Sequence, residues 1–207
     1  ALLGCGLSTA LGTINNEAEV KFGESVMVVG VGGLGLNLIR SATLASAYPI
    51  ISVDIYDNKK ESAESLGAHL LINCKKENIK DKIFEKFGIK DVDVIIETSG
   101  NKQSLEETIP LLSGKGRYIL VGQPKPSENI ELINAHHLFG GQGKTIKATQ
   151  GGEFSPSKDI PRYVKLHKAG ILKIDDIITH HMKLDQINEA INLVRSGRAG
   201  RIMIDTC

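Results

Sequence analysis

From Ser25 onward the chain alternates short β-branched runs with segments whose apolar residues recur at helical spacing. Ser25–Val29 (Ser-Val-Met-Val-Val) is apolar at consecutive positions, as expected of a strand buried on both faces, and it runs into Gly30-Val31-Gly32-Gly33-Leu34-Gly35. Leu34, Leu38, Ala42 and Ala45 then mark one face of a helix, and Ile50–Ile55 is the next strand. The same pattern predicts a polar helix from Lys59 to Leu66 stopped by Gly67, then a strand at His69–Asn73 and a helix at Lys76–Phe87. A strand at Val92–Glu97, a helix at Gln103–Leu112 and a strand at Gly116–Val121 follow. Beyond the Pro124/Pro126 loop, Lys144–Thr149 reads as a strand and Ser157–Lys168 as a helix. Leu184–Arg195 is a helix with Leu184, Ile187, Ala190, Ile191 and Val194 on one face, and Arg201–Ile204 is a last strand.

Strands separated by helix-length crossovers pair in parallel, and right-handed crossovers put helices on both faces of the sheet. The expected fold class is therefore α/β, a doubly wound parallel sheet of the Rossmann type. No repeat or linker interrupts the 207 residues, so one domain covers 1–207, with 1–22 as a lead-in and 184–207 as a returning helix and strand. Twenty-five Lys and Arg balance 24 Asp and Glu, a charge that draws the chain toward neither nucleic acid nor membrane. The longest apolar stretch, Val26–Leu36, contains four glycines and falls short of the ~18–20 residues that span a bilayer. Cys5, Cys74 and Cys207 form no disulfide framework or zinc knuckle, which fits a reducing, cytoplasmic setting. The chain starts without Met on an apolar stretch, as if in the middle of something longer.

Glycine is abundant, 22 residues against an ordinary share of about 7%, and its densest cluster lies between the first strand and the first helix. In that context Gly30 permits a tight turn, Gly32 lets a diphosphate approach the backbone, and Gly35 lets helix and strand pack closely. The helix N-terminus offers unpaired N–H groups to the diphosphate. Asp54 follows Gly35 by 19 positions, at the end of the second strand, where a carboxylate accepts hydrogen bonds from the adenosine ribose and repels a 2′-phosphate. No Arg neighbours it to pair with such a phosphate, so NAD rather than NADP is expected. The alternative is a glycine-rich turn in a domain that binds no nucleotide, with Asp54 an ordinary loop carboxylate.

Leu3-Gly4-Cys5-Gly6-Leu7-Ser8-Thr9, Val29-Gly30-Val31-Gly32-Gly33-Leu34-Gly35, Val53-Asp54-Ile55, Glu64-Ser65-Leu66-Gly67-Ala68 and Ser196-Gly197-Arg198-Ala199-Gly200-Arg201 occur in order. In that order and spacing the chain resembles the cofactor-binding half of zinc-containing medium-chain alcohol dehydrogenases. The resemblance implies that Cys5 is one ligand of a catalytic zinc, and that Thr9 and Val121 flank the nicotinamide with Gln150 near its amide. It places Gly33 and Leu34 in the diphosphate loop, Ile55 and Lys59 with Asp54 at the adenosine ribose, Thr98 and Ser99 near the adenosine, and Arg201 on the diphosphate. The family's other zinc ligands, its hydroxyl relay and its four-cysteine loop precede the segment that begins here, so an N-terminal catalytic domain is the expected partner. A catalytic zinc takes three protein ligands, and Cys5 alone cannot hold it.

His136-His137 and His180-His181 are adjacent pairs, which diverge on a helix and point to opposite faces of a strand, so neither chelates a metal readily. Cys5 taken alone reads as a small buried hydrophobe. Asp93 and Glu97 read as a polar strand end, and the lysines from Lys75 to Lys90, interleaved with acids, as a solvated helix face. The function expected is NAD binding within a zinc-dependent, alcohol-dehydrogenase-like oxidoreductase, with the isolated chain inactive and a homodimer formed through Lys144–Thr149. A non-catalytic nucleotide-binding or oligomerising module is the alternative. Binding of another adenosine ligand, such as S-adenosylmethionine, is a third reading.

Overall fold

The computed structural model describes residues 2–132, 134–140 and 143–206. Six of the β-branched runs become strands: β1 (Val26–Val29), β2 (Ile50–Asp54), β3 (Leu70–Asn73), β4 (Val92–Glu97), β5 (Leu112–Leu120) and β6 (Thr145–Ala148). They form one parallel sheet in the order β3-β2-β1-β4-β5-β6. The period of two decides which residue faces which layer. Val26, Val28, Ile50, Val94 and Ile96 pack into one core layer, and Met27, Val29, Ile51, Val53 and Ile95 into the other. Both faces are dry over β1 to β4, which is why these strands read as unbroken apolar runs rather than as alternations.

The helices are α1 (Gly6–Gly12), α2 (Gly33–Leu44), α3 (Lys60–Ser65), α4 (Ile79–Phe87), α5 (Lys102–Thr108), α6 (Ala135–Phe139), α7 (Pro156–Lys168) and α8 (Ile187–Arg195). α1, α2 and α3 supply Ala10, Leu36, Ile39 and Ala63 to the first layer, and α4 and α5 supply Ile79, Ile83 and Leu105 to the second. Asn78 and Asn101 cap α4 and α5 by accepting from the backbone N–H three residues on. Connections leave β1 and β4 toward opposite faces, so a crevice opens beyond the carboxyl ends of these strands, the usual ligand position in such sheets.

Three parts of the chain depart from the sequence expectation. The lead-in 1–22 contains α1 followed by a π-helical turn, Thr13–Glu17. Every residue from Leu7 to Gly12 is buried, so no polar face marks the helix. A strand at β7 (Ile178–Lys183) goes unread in the sequence: its burial alternates, but His180 stands at one of the three inward positions, so no apolar alternation marks it. It pairs in parallel with β8 (Arg201–Asp205), and the two form a separate sheet rather than extending the six-stranded one. The apolar face read on 184–195 is mostly outside the core: Ala190 is buried, whereas Leu184 and Val194 are 58% and 60% exposed. Among the described residues no helix is long and apolar enough to cross a membrane.

Candidate functional site

The loop between β1 and α2 is shaped by two glycines with different tasks. Gly30 has φ +89°, a left-handed conformation, and a Cβ there would lie 2.6 Å from the Thr98 hydroxyl. A Cβ on Gly35 would overlap the Gly30 carbonyl, so only glycine lets α2 start this close to β1. Gly32 caps the helix, and a Cβ there would meet nothing within 4 Å, so that side of the backbone is open to an approaching group. Gly33 and Leu34 begin α2 behind it. The result is a helix N-terminus whose first N–H groups are free to bind an anion.

A cavity of about 790 Å³ opens beside this terminus, within the range of cofactor sites. Gly30, Gly32 and Gly33 line it at one side, and Asp54, Ile55 and Lys59 at another. The Asp54 carboxylate is fixed by backbone donors: Oδ2 accepts from Val31 N–H at 2.6 Å, and Oδ1 from Ile55 and Tyr56 N–H at 2.8 and 3.1 Å. Lys59 is 6% exposed and donates to the Ala199 carbonyl at 2.9 Å. Burial pushes its pKa below the ordinary lysine value, against the pull of the Asp54 charge.

The far wall comes from the loop between α8 and β8, where Gly197, Ala199 and Gly200 face the cavity. Tyr56 lies against Gly197, where a Cβ would stand 2.7 Å from the ring, and the Gly197 φ of +69° is left-handed besides. Arg201 reaches back so that its guanidinium lies within 4 Å of where Cβ atoms on Gly6 and Gly33 would stand, which sets a cation beside the α2 N-terminus. Helix dipole and guanidinium thus add at one place.

Ser99 also lines the cavity, whereas Thr98 sits behind Gly30 with its hydroxyl donating to the Val29 and Gly30 carbonyls. Glu97, read from sequence as part of a polar strand end, is fully buried beneath this loop. It accepts from Ser99 N–H at 2.8 Å, Gly100 N–H at 2.9 Å and the Ser99 hydroxyl. Burial raises its pKa, and these bonds oppose the rise. Its partner in that reading, Asp93, accepts from Ser25 and Ser113 at the opposite end of β4.

Cys5, Thr9, Val121 and Gln150 do not line the cavity. Cys5 is exposed at the start of α1 and Thr9 is buried one turn on, its N–H bonded to the Cys5 carbonyl at 2.8 Å. Gln150 lies in a shallow groove with Glu17 and Phe154, and its loop is brought onto α1 by the backbone contact of Gly12 with Gly152. Val121 packs on the first core layer. Tyr56, Cys74, Lys75, Asn101, Gln103, Ser104 and Glu107 line the cavity without having been singled out in the sequence as site residues. They arrive from separate elements and share no local motif; only the spaced glycines of Ser196–Arg201 carried a readable hint of the far wall.

A family model described as zinc-binding dehydrogenase matches residues 33–169, which contain the glycine loop's helix, Asp54 and five of the six sheet strands that follow or flank it. This chain belongs to the zinc-binding dehydrogenase family. It is 32% identical to an S-(hydroxymethyl)glutathione dehydrogenase of Paracoccus denitrificans, over 98% of this chain and 55% of that one. With an alcohol dehydrogenase 6 of Peromyscus maniculatus it shares 31%, over 98% and 54%. A crystal structure titled alcohol dehydrogenase zinc-binding domain protein, from Burkholderia ambifaria, superposes with a TM-score of 0.90 at 32% identity, covering 99% of this chain and 54% of that one. Benzyl alcohol dehydrogenase from Acinetobacter calcoaceticus gives 0.90 at 30%, covering 99% and 56%. The chain therefore spans about half the length of the zinc-binding dehydrogenase relatives it matches, and it is the half with the Rossmann-like sheet.

The residues fit a dinucleotide: an open backbone at Gly32, an anion-binding helix terminus with Arg201 beside it, and a fixed carboxylate 24 residues after Gly30 share one crevice. They do not by themselves fit a zinc ion. Among the described residues no three of His, Cys, Asp and Glu converge, so Cys5 could serve only with ligands from outside them.

Proposed function

We propose that this chain binds NAD(H) and orients it within a zinc-dependent, alcohol-dehydrogenase-like oxidoreductase acting on an alcohol or carbonyl substrate. The observation that carries the reading is that the α2 N-terminus and the Asp54 carboxylate face one cavity. Gly30, Gly32, Gly33, Leu34 and Gly35 form the diphosphate cradle, with Arg201 neutralising charge beside it. Asp54 and Ile55 meet the adenosine ribose, Lys59 donates to it with the protons that Ala199 leaves free, and Ser99 closes the base side with Thr98 supporting the loop. Thr9, Val121 and Gln150 belong to the nicotinamide end, and Cys5 to a zinc site completed by an N-terminal catalytic domain.

The bound cofactor supplies hydride exchange; this chain's residues bind it and hold it in place. We assign the protein to the cytoplasm, in keeping with the free thiols of Cys5 and Cys74, and to a homodimer joined through β6. With no Trp in the chain, NADH emission can be followed without indole overlap. Titration should give saturable enhancement with NADH and at least tenfold weaker binding of NADPH, a ratio that Asp54→Ala brings toward one. The chain alone should oxidise no alcohol. Absence of NADH binding, or an unchanged ratio in the variant, overturns the assignment.

A further inference from the structure

Glu97 is a carboxylate that the dinucleotide assignment leaves without a task. It is fully buried at the carboxyl end of β4, where a charge is costly unless donors surround it. Among the described residues no cation pairs with it. Its donors are the N–H groups of Ser99 and Gly100 and the Ser99 hydroxyl, all in the turn that leaves the strand. Its main-chain carbonyl meanwhile accepts from Val121 and Gly122 N–H, each at 2.9 Å, just past the end of β5. One residue thus fastens two neighbouring strand ends, and they meet without slack. A Cβ on Gly122 would stand 2.2 Å from Gly100 N and 2.7 Å from Glu97 Oε2, and one on Gly100 would stand 2.4 Å from the Gln123 carbonyl oxygen. On its other side the turn touches the glycine loop, through Thr98 Oγ1 on the Gly30 carbonyl at 3.0 Å. The turn 98–100 therefore lies between the loop that starts α2 and the segment 121–123, and Ser99 faces the cavity from it.

Resting on that assignment, we propose that Glu97 is a positioning residue whose carboxylate, acting through the Ser99–Gly100 turn, sets the passage from the diphosphate cradle to the nicotinamide end. The ionised form is the one that does so: each oxygen accepts from the turn, and a proton on either would face an N–H and break that contact. Burial raises the Glu97 pKa against these bonds, which brings its protonation closer to neutral pH. The turn itself, Val29–Gly30 and Val121–Gly122 carry no ionisable side chain. Tyr118 of β5, which feels the Glu97 charge, is held protonated by burial and bonded to the Thr108 hydroxyl.

The test is titration of the 207-residue chain with NADH, read by nicotinamide emission, and with ADP-ribose, which lacks only the nicotinamide, read by calorimetry. Glu97→Gln is an isostere that must turn a donor toward the N–H of Ser99 or Gly100. In it NADH affinity should fall about tenfold and the emission enhancement at saturation should be lost, while ADP-ribose affinity stays within about twofold. Ser99→Ala, at an exposed position, removes only the hydroxyl contact. It should lower NADH affinity about threefold, and it decides the matter if Glu97→Gln does not fold. In the wild type NADH affinity should decline as pH falls through the raised Glu97 pKa, and in Glu97→Gln it should be low and flat. Unchanged NADH affinity in the variants, an equal loss of NADH and ADP-ribose, or a pH decline that persists in Glu97→Gln refutes positioning while leaving the dinucleotide assignment standing. Failure of both nucleotides to bind the wild type removes the two together.

Discussion

Lys59 is an ammonium enclosed by protein, held by the Ala199 carbonyl and drawn on by Asp54. Its folded-state pKa lies below the ordinary 10.5, so the unfolded chain holds this proton more tightly. The stability linked to the group is present above pH 10.5 and lost as pH falls through the folded value; at pH 7 the charge burdens the fold. Lys59→Met should therefore keep or raise Tm at pH 7 yet weaken NADH binding at least tenfold, a trade of binding against stability. In the wild type, NADH affinity should decline as pH climbs through the depressed Lys59 pKa, and in the variant that decline should vanish. A variant that binds NADH normally takes Lys59 out of the site. Lys59 was legible in sequence only through a family resemblance, whereas Gly30, Gly35 and Asp54 could be reasoned from local geometry. The loop needs a positive φ at one position and no Cβ at another, and both demands are written in residues adjacent to the strand that imposes them. Glu107 carries no such mark, because its position in the cleft depends on the approach of α5 to the end of β3.

At the scale of elements, the link between the sheet and the β7–β8 pair is the loop Ser196–Arg201, fastened by Tyr56 on Gly197 and by Lys59 on Ala199. Strands β1 to β4 were readable because burial on both faces leaves consecutive apolar residues, and the helices between them because their apolar positions recur on one side. α1 was not, since burial all round erases the period. The exposed stripe of α8 shows the opposite failure: a readable apolar face that the described residues leave largely in solvent. Gly197→Ala would place a methyl 2.7 Å from the Tyr56 ring at a φ of +69°. We expect a loss of about 1–2 kcal/mol in stability, from left-handed strain together with crowding, and weaker NADH binding because the loop forms the cavity wall. In hydrogen exchange, NADH should protect amides of the α8–β8 loop in the wild type and protect them less in the variant. Equal protection in both would show that the loop is no part of the nucleotide site.

For the whole molecule, the sheet ends at β6, whose four residues are all exposed. Among the described residues β6 pairs with β5 alone, so its outer edge presents unpaired N–H and C=O groups, and Ile146 is 42% exposed with Phe139 of α6 also in solvent at 71%. Such an edge invites pairing with another strand, and a two-fold axis through it would join two sheets with β6 antiparallel to its copy. Lys147, the charge that would ordinarily blunt this edge, is engaged by Glu17 and Glu153 of its own chain, so its repulsion of a second copy is reduced. The cleft lies over β1 and β2, at a distance of several strands, so association and nucleotide binding should separate cleanly. Sedimentation velocity at tens of micromolar should find a species of twice 22.3 kDa for the wild type. Ile146→Asp, which would bury two carboxylates at the axis, should sediment as a monomer with its NADH affinity unchanged. A wild type that stays monomeric at that concentration, or a variant that stays dimeric, rules out association through β6, and the unchanged nucleotide affinity certifies that the variant is folded.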